Sequence, residues 1–179
     1  MKLYITRHGE TEWNQLNKVL GRPDIPLNEK GLEQARVAGE GLADIPFDVI
    51  YCSPLSRAAE TAEIIAAYQQ RPVKCIKEDS LIEQSFGIFE GTKRDNETYQ
   101  AEKHLYFKRF PEGESFLDVA ARVYPFLAEI VKNSEHYENV LLVTHGGICR
   151  VINSYFKDMT NEEFTEFFMK NCQLLEYDI

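Results

Sequence analysis

Four short stretches of this chain hold side chains able to move a phosphoryl group. Arg7-His8-Gly9-Glu10-Thr11 comes first, directly after the apolar run Leu3-Tyr4-Ile5. Arginine grips phosphate oxygens with two parallel hydrogen bonds. Histidine attacks as a nucleophile or shuttles protons near neutral pH. Gly9 leaves room beside the histidine for a ligand to approach the backbone. Ser53-Pro54-Leu55-Ser56-Arg57 adds a second arginine, and Thr144-His145-Gly146-Gly147 repeats the histidine–glycine pairing. Glu83 follows Leu81-Ile82, where apolar neighbours can desolvate a carboxyl group and raise its pKa toward that of a general acid.

Each piece also has an ordinary reading. Arg7-His8 is then a polar turn, Arg57 an exposed helix arginine, His145 a satisfied core histidine and Glu83 a loop acid paired with a nearby Arg or Lys. Taken together the pieces fit one chemistry. Phosphoryl transfer needs a nucleophile, fixed positive charge around the equatorial oxygens and an acid for the leaving group. His8 is the candidate nucleophile, forming a covalent intermediate. Arg7 and Arg57 supply the charge, Arg57 from the first turn of a helix whose N–H groups also favour an anion. His145 donates a hydrogen bond to the transferring oxygens. For Glu83, spacing alone leaves the acid and the paired-carboxylate readings even. Competing chemistries lack their signatures: the chain has no Walker A loop, G-x-G-x-x-G, H-E-x-x-H or G-x-S-x-G motif.

These residues need elements that bring them together. Strand and helix signals alternate, which predicts an α/β sandwich with a mostly parallel central sheet flanked by helices. Leu3–Thr6, Phe47–Tyr51, Val73–Ile76 and Asn139–Thr144 read as strands. Asn139–Thr144 is continuously apolar in its interior and is placed at the sheet centre. Leu174–Ile179 adds a last strand at the edge. Asn28 caps a helix with Leu32, Ala35, Gly39 and Leu42 on one face. Ser53-Pro54-Leu55 begins the next, with Ala59, Ala62 and Ile65 packing, and proline in its first turn. Ser115 opens a third, with a kink or break expected at Pro125. Thr160 and Glu163 form a capping-box pattern ahead of Phe164, Phe167 and Phe168, a stripe read as packing surface rather than a ligand site. Histidine and arginine at strand carboxyl ends stand where open α/β sheets bind ligands. The stretch 92–111 mixes Tyr99, Tyr106, Phe107 and Phe110 with Lys93, Arg94, Lys103, Lys108 and Arg109. It reads either as a small helical cap over the carboxyl edge or as a solvated surface helix.

Composition bounds the rest. A chain of 179 residues fits a single domain (1–179) and buries roughly two-thirds of its unfolded surface without a metal or disulfide staple. A formal charge of −9 argues against non-specific nucleic-acid binding and against an anionic membrane surface. The four cysteines form no C-x-x-C and read as reduced thiols. With no signal peptide and no apolar run of membrane length, the expected location is cytoplasmic.

The motifs together resemble the histidine phosphatase superfamily, in its phosphoglycerate-mutase-like branch. The resemblance is carried by Arg7-His8-Gly9-Glu10-Thr11-Glu12-Trp13-Asn14, Pro26–Gly31 with Gln34-Ala35, Ser53–Ala58 with Glu60-Thr61-Ala62, Glu83 with Gly87 and Glu90-Gly91, Pro111–Ser115 and Val143–Gly147. These blocks span nearly the whole chain. The resemblance implies His8 as the phosphohistidine nucleophile, with Arg7, Arg57 and His145 forming the phosphate pocket. Asn14, Gly21 and Gly146 are implied to lie against the substrate. It implies Glu83 as the acid that protonates the leaving oxygen and then activates water. No metal or organic cofactor is implied, and the implied ligand is a small phosphorylated metabolite. Phe89 stands where many small phosphatases have tryptophan. The stretch 92–111 is shorter than the basic insert of full-length mutases, which favours a phosphatase over a phosphoglycerate-type mutase. A non-catalytic phosphate-ligand sensor ranks last, because every expected catalytic position is filled by a competent residue.

Overall fold

The computed structural model describes residues 1–179. The chain runs β1 (Lys2–Arg7), α1 (Glu12–Gln15), α2 (Glu29–Leu42), β2 (Val49–Cys52), α3 (Ser56–Ala67), β3 (Lys74–Lys77), α4 (Glu97–Glu102), α5 (Phe116–Lys132), β4 (Asn139–Thr144), α6 (Gly146–Phe156), α7 (Asn161–Glu166) and β5 (Leu174–Asp178). The strands form one sheet in the order β3-β2-β4-β1-β5. All neighbours are parallel except β5, which closes the edge antiparallel to β1. The mostly parallel sheet flanked by helices is the architecture expected from the alternating pattern.

β4 is the middle strand, and five of its six residues are buried. Period-two alternation splits its side chains, with those of its neighbours, between two cores. Leu3, Ile5, Val140 and Leu142 pack with Val119, Val123 and Leu127 of α5 and Ile148 and Ile152 of α6. Tyr4, Ile50, Leu141 and Val143 pack on the other face with Leu42 of α2 and Ala58, Ala62 and Ile65 of α3. Burying one such Leu or Ile is worth about 1.5–3 kcal/mol, so the central strands are strongly fixed. The register sets Arg7 opposite Thr144, so the next residues, His8 and His145, emerge together at the carboxyl edge.

Several local expectations shift. The second and third strands start later than read, at Val49 and Lys74. Phe47 lies before its strand and is buried against Tyr4. On α2, Gly31 takes the inward position and Leu32 is only half-buried. Pro54 precedes α3, whose N-cap is Leu55. The break expected at Pro125 does not occur: α5 is continuous from Phe116 to Lys132. Pro125 and Ala121, four residues earlier, both face solvent, so water can serve the carbonyl left without its N–H partner. No helix is long and apolar enough to cross a membrane.

The stretch 92–111 contains α4 and a small core of its own. Tyr99 and Phe110 stack, with ring centroids 6.0 Å apart, and bury Val19 and Phe89 with them. Phe89 is therefore cap core.

Candidate functional site

A cavity of about 410 Å³ opens at the carboxyl edge of the sheet. Arg7, His8, Asn14, Glu83 and Gly146 line it from the sheet side, and Arg94, Tyr99, Lys103, His104 and Phe110 line it from the 92–111 stretch. Phe167, Phe168, Met169 and Asn171 close a third side.

His8 is 3 % exposed, and its Nδ1 lies 2.6 Å from the Gly9 carbonyl. A carbonyl only accepts, so Nδ1 carries the hydrogen and the lone pair sits on Nε2. Burial, then Arg57 and Arg7, push the pKa of His8 well below 6.5. A neutral ring with Nε2 free is the form of histidine able to attack phosphorus.

His8 is braced on its backbone. Its N–H donates to the Thr144 carbonyl at 2.9 Å, and Asn171 Nδ2 donates to its carbonyl at 2.8 Å. Gly9 is needed for a reason other than ligand access: a Cβ there would come within 2.4 Å of the Gly31 carbonyl oxygen at the start of α2.

Arg7 is 9 % exposed and donates from Nη1 to the Met169 carbonyl at 2.9 Å. Its buried Nε has no protein partner. Arg7 lines the same cavity as His8, and a guanidinium there can donate to phosphate oxygens.

Arg57 and His145 stand behind this wall rather than on it. Arg57 is fully buried, and burial lowers its pKa to about 10. It donates from Nη2 to the Gly21 carbonyl (2.7 Å), from Nη1 to the Pro23 carbonyl (2.9 Å) and from Nε to His145 Nδ1 (3.3 Å). His145 Nδ1 is thus the acceptor nitrogen, and Nε2–H donates to Ser53 Oγ at 2.8 Å. Burial and then Arg57 hold the pKa of His145 well below 6.5. Its ring centroid is 5.1 Å from that of His8. Both ring nitrogens of His145 are spent on protein groups, so here it orients Arg57 instead of facing the cavity.

The helix N-terminus expected to favour an anion beside Arg57 is also spoken for, because Asp24 accepts from both the N–H and the hydroxyl of Ser56. Gly21 is buried and meets Arg57 through its carbonyl; it does not line the cavity.

Glu83 is 5 % exposed. Its Oε1 accepts from the Gln84 N–H at 2.9 Å and its Oε2 from the Gly147 N–H at 3.3 Å. Gly147 permits this approach, since a Cβ there would sit 2.7 Å from Oε1. Burial raises the pKa of the carboxyl, against the pull of those N–H groups and of Arg57 and Arg7. The carboxyl is not salt-bridged, so the paired-carboxylate reading does not describe it. Asn14 lines the cavity while its Oδ1 accepts from the Thr11 N–H at 3.2 Å.

Sequence reasoning missed two contributors. Arg150 sits one turn past Gly146 on α6, a helical spacing that offered a signal. It donates from Nη2 to the Phe167 carbonyl at 2.9 Å, stacks between Phe116 and Phe164, and keeps a buried Nε without a partner. The segment 167–171 gave no signal, because its place depends on β5 returning along β1. The stripe read as packing divides there. Phe164 packs on Phe116 and Tyr106, whereas Phe168 is 68 % exposed, faces Arg7 and lines the cavity. Arg7, Arg94, Lys103 and Arg150 line this cavity, and none is in an ion pair.

Known proteins resemble this chain over most of its length. The phosphoglycerate mutase of Schizosaccharomyces pombe is 33 % identical over 175 residues, covering 92 % of this chain and 83 % of its own. The uncharacterized phosphatase PhoE of Bacillus subtilis is 38 % identical over 150 residues, covering 83 % and 73 %. The crystal structure of the alpha-ribazole phosphatase from Shigella flexneri superposes with a TM-score of 0.86 at 30 % identity, over 100 % of this chain and 91 % of that one. Residues 3–179 match the histidine phosphatase superfamily (branch 1), and the chain belongs to that family.

Proposed function

We propose that this protein is a metal-independent phosphatase that hydrolyses small phosphomonoesters through a phosphohistidine on His8. The observation that carries the reading is the His8 ring itself: neutral, with Nδ1–H held by the Gly9 carbonyl and no protein partner on Nε2, in a cavity that Arg7 also lines. The Nε2 lone pair attacks phosphorus, and the bond from phosphorus to the leaving oxygen breaks. Glu83, kept protonated more readily by burial, gives its proton to that oxygen. The resulting carboxylate then takes a proton from water, whose oxygen displaces phosphate from Nε2, and Glu83 ends protonated as it began. Arg7 and the Gly146 N–H at the start of α6 balance charge on the transferring oxygens. Arg57, ordered by His145 and Ser53, adds fixed positive charge from behind.

The test is turnover of p-nitrophenyl phosphate in the presence of a chelator, with acid-labile phosphate trapped on wild-type protein and absent from His8→Ala. Full activity in that variant would remove the nucleophile assignment.

The mutase relatives support a second reading, a phosphoglycerate-type mutase. The two differ in whether the phosphoenzyme meets water or a second hydroxyl. Phosphoglycerate incubated with the enzyme yields free phosphate in the first case and its isomer in the second. Binding of phosphate esters without either product would instead indicate a phosphate sensor.

A further inference from the structure

Glu83 sits on a stretch with no regular backbone pattern. After the short turn Asp79–Leu81, the chain from Ile82 to Phe86 is neither helix nor strand. Its polar backbone groups must find partners elsewhere, and three of them, the Glu83 carbonyl and both backbone groups of Ser85, meet one half-buried ionic cluster. Arg22 Nε donates to the Glu83 main-chain carbonyl at 2.7 Å. Arg122 reaches the same oxygen from Nη2 at 3.4 Å, and donates from Nη1 to the Ser80 carbonyl at 2.6 Å. Both guanidinium groups meet on Glu114, Arg22 at Oε2 and Arg122 at Oε1, each at 3.2 Å.

Glu114 also holds the chain on the far side of Glu83. Its Oε2 accepts from the Ser85 N–H at 2.9 Å, its own N–H donates to the Ser85 carbonyl at 2.9 Å, and its carbonyl accepts from Gln84 Nε2 at 2.9 Å. Residues 80, 83 and 85 are thereby tied to one carboxylate and its two arginines, and Gln84 to the Glu114 main chain. The Glu83 carboxyl is held less firmly than its backbone, by two N–H groups, one of them at 3.3 Å. Its position in the cavity is therefore inherited from the backbone. Glu114, Arg22 and Arg122 do not line the cavity, so they act on the substrate only through Glu83.

We propose that Glu114, bridged by Arg22 and Arg122, is the positioning residue that aims the Glu83 carboxyl at the leaving oxygen. This rests on the general-acid reading of Glu83 given above. A displacement of about 1 Å in a catalytic group can cost roughly a hundredfold in rate, so loosening the clamp has a kinetic signature of its own. A general acid matters when the leaving oxygen is strongly basic and little when it departs readily as an anion.

The test compares kcat/KM for an alkyl phosphate with that for 2,4-dinitrophenyl phosphate, in wild type, Glu83→Ala and Glu114→Ala. This constant reports the first phosphoryl transfer and is blind to later hydrolysis of the phosphoenzyme. Glu114→Ala is expected to lose about 10- to 100-fold on the alkyl ester and less than about threefold on the dinitrophenyl ester. Glu83→Ala is expected to show the same skew more strongly. A skew in Glu83→Ala with equal losses on both esters in Glu114→Ala overturns the positioning role and leaves the acid assignment standing. No skew in Glu83→Ala removes the acid assignment and this inference with it. If circular dichroism shows Glu114→Ala unfolded, Arg22→Ala, whose side chain is 38 % exposed, decides by the same criterion.

Discussion

The two walls of the cavity are built differently. The sheet wall presents His8 and Glu83, with Arg57 and His145 behind them, all 5 % exposed or less, against a sheet anchored in cores of sixteen and eleven buried residues. Its side chains are each anchored by hydrogen bonds to protein groups, His8 through Nδ1, Glu83 through both oxygens, and Arg57 and His145 through each other. The opposite wall, from 92 to 111, rests on a core of four buried residues. It presents half-buried Arg94 and Lys103 and exposed His104 to the cavity. The first wall holds reacting groups in one geometry, as preorganised charge stabilisation requires. The second can change side chains at little cost to stability, as binding surfaces on loops commonly do. Under the proposed function, the same division separates the chemistry on a phosphate from the choice of substrate.

That contrast can be broken most sharply at His8. His8→Ala is expected to lower turnover of any phosphomonoester by roughly a thousandfold or more, measured by phosphate release. Glu83→Gln is expected to cost about 100-fold or more on alkyl esters and to change the pH profile. Under the general-acid reading Glu83 works protonated with a pKa raised above 4.5, so wild-type activity is expected to fall as pH rises through that raised value. His8 works neutral with a pKa well below 6.5, so the acid limb lies below pH 6.5. The variant should lose the high-pH limb and keep the low-pH one.

On the cap side, Phe110→Ala is expected to cost about 3 kcal/mol locally. Hydrogen exchange should speed up across 92–111 while β1 and β4 stay protected; equal loss in both regions would mean that the two walls are one cooperative unit. The smallest effect is expected from Arg94→Ala and Lys103→Ala. Each should raise KM by about fivefold, on the order of 1 kcal/mol for a solvent-screened charge contact, with kcat little changed. A large fall in kcat would place chemistry on the cap and erase the distinction.

Legibility in the sequence follows the same line. β4 was readable because a strand buried on both faces must be apolar throughout. His8 and His145 were readable because they directly follow apolar strands. Arg57 was found as a residue, but its orientation was not. Nothing local reveals that its three donor atoms meet Gly21, Pro23 and His145. Pro125 does not break its helix; the rule for proline in a helix does not say which side of the helix faces water. Phe168 misled because its spacing matches Phe164, yet α7 ends at Glu166 and the chain turns toward Arg7.

The sequence by itself determined the alternating strand–helix pattern, the central strand and the presence of residue types suited to phosphate at the strand ends. Those follow from local chemistry: hydrophobic period, capping side chains and residue types matched to phosphate. Only the tertiary structure decided which nitrogen of His8 is free, that His145 faces Arg57 rather than the cavity, and that Arg150 and the 167–171 segment complete the wall. Those facts depend on hydrogen bonds between residues as much as 163 positions apart, and on burial that shifts the pKa of His8 and Glu83 in opposite directions. Both effects arise only when the sheet brings distant ends of the chain to one edge.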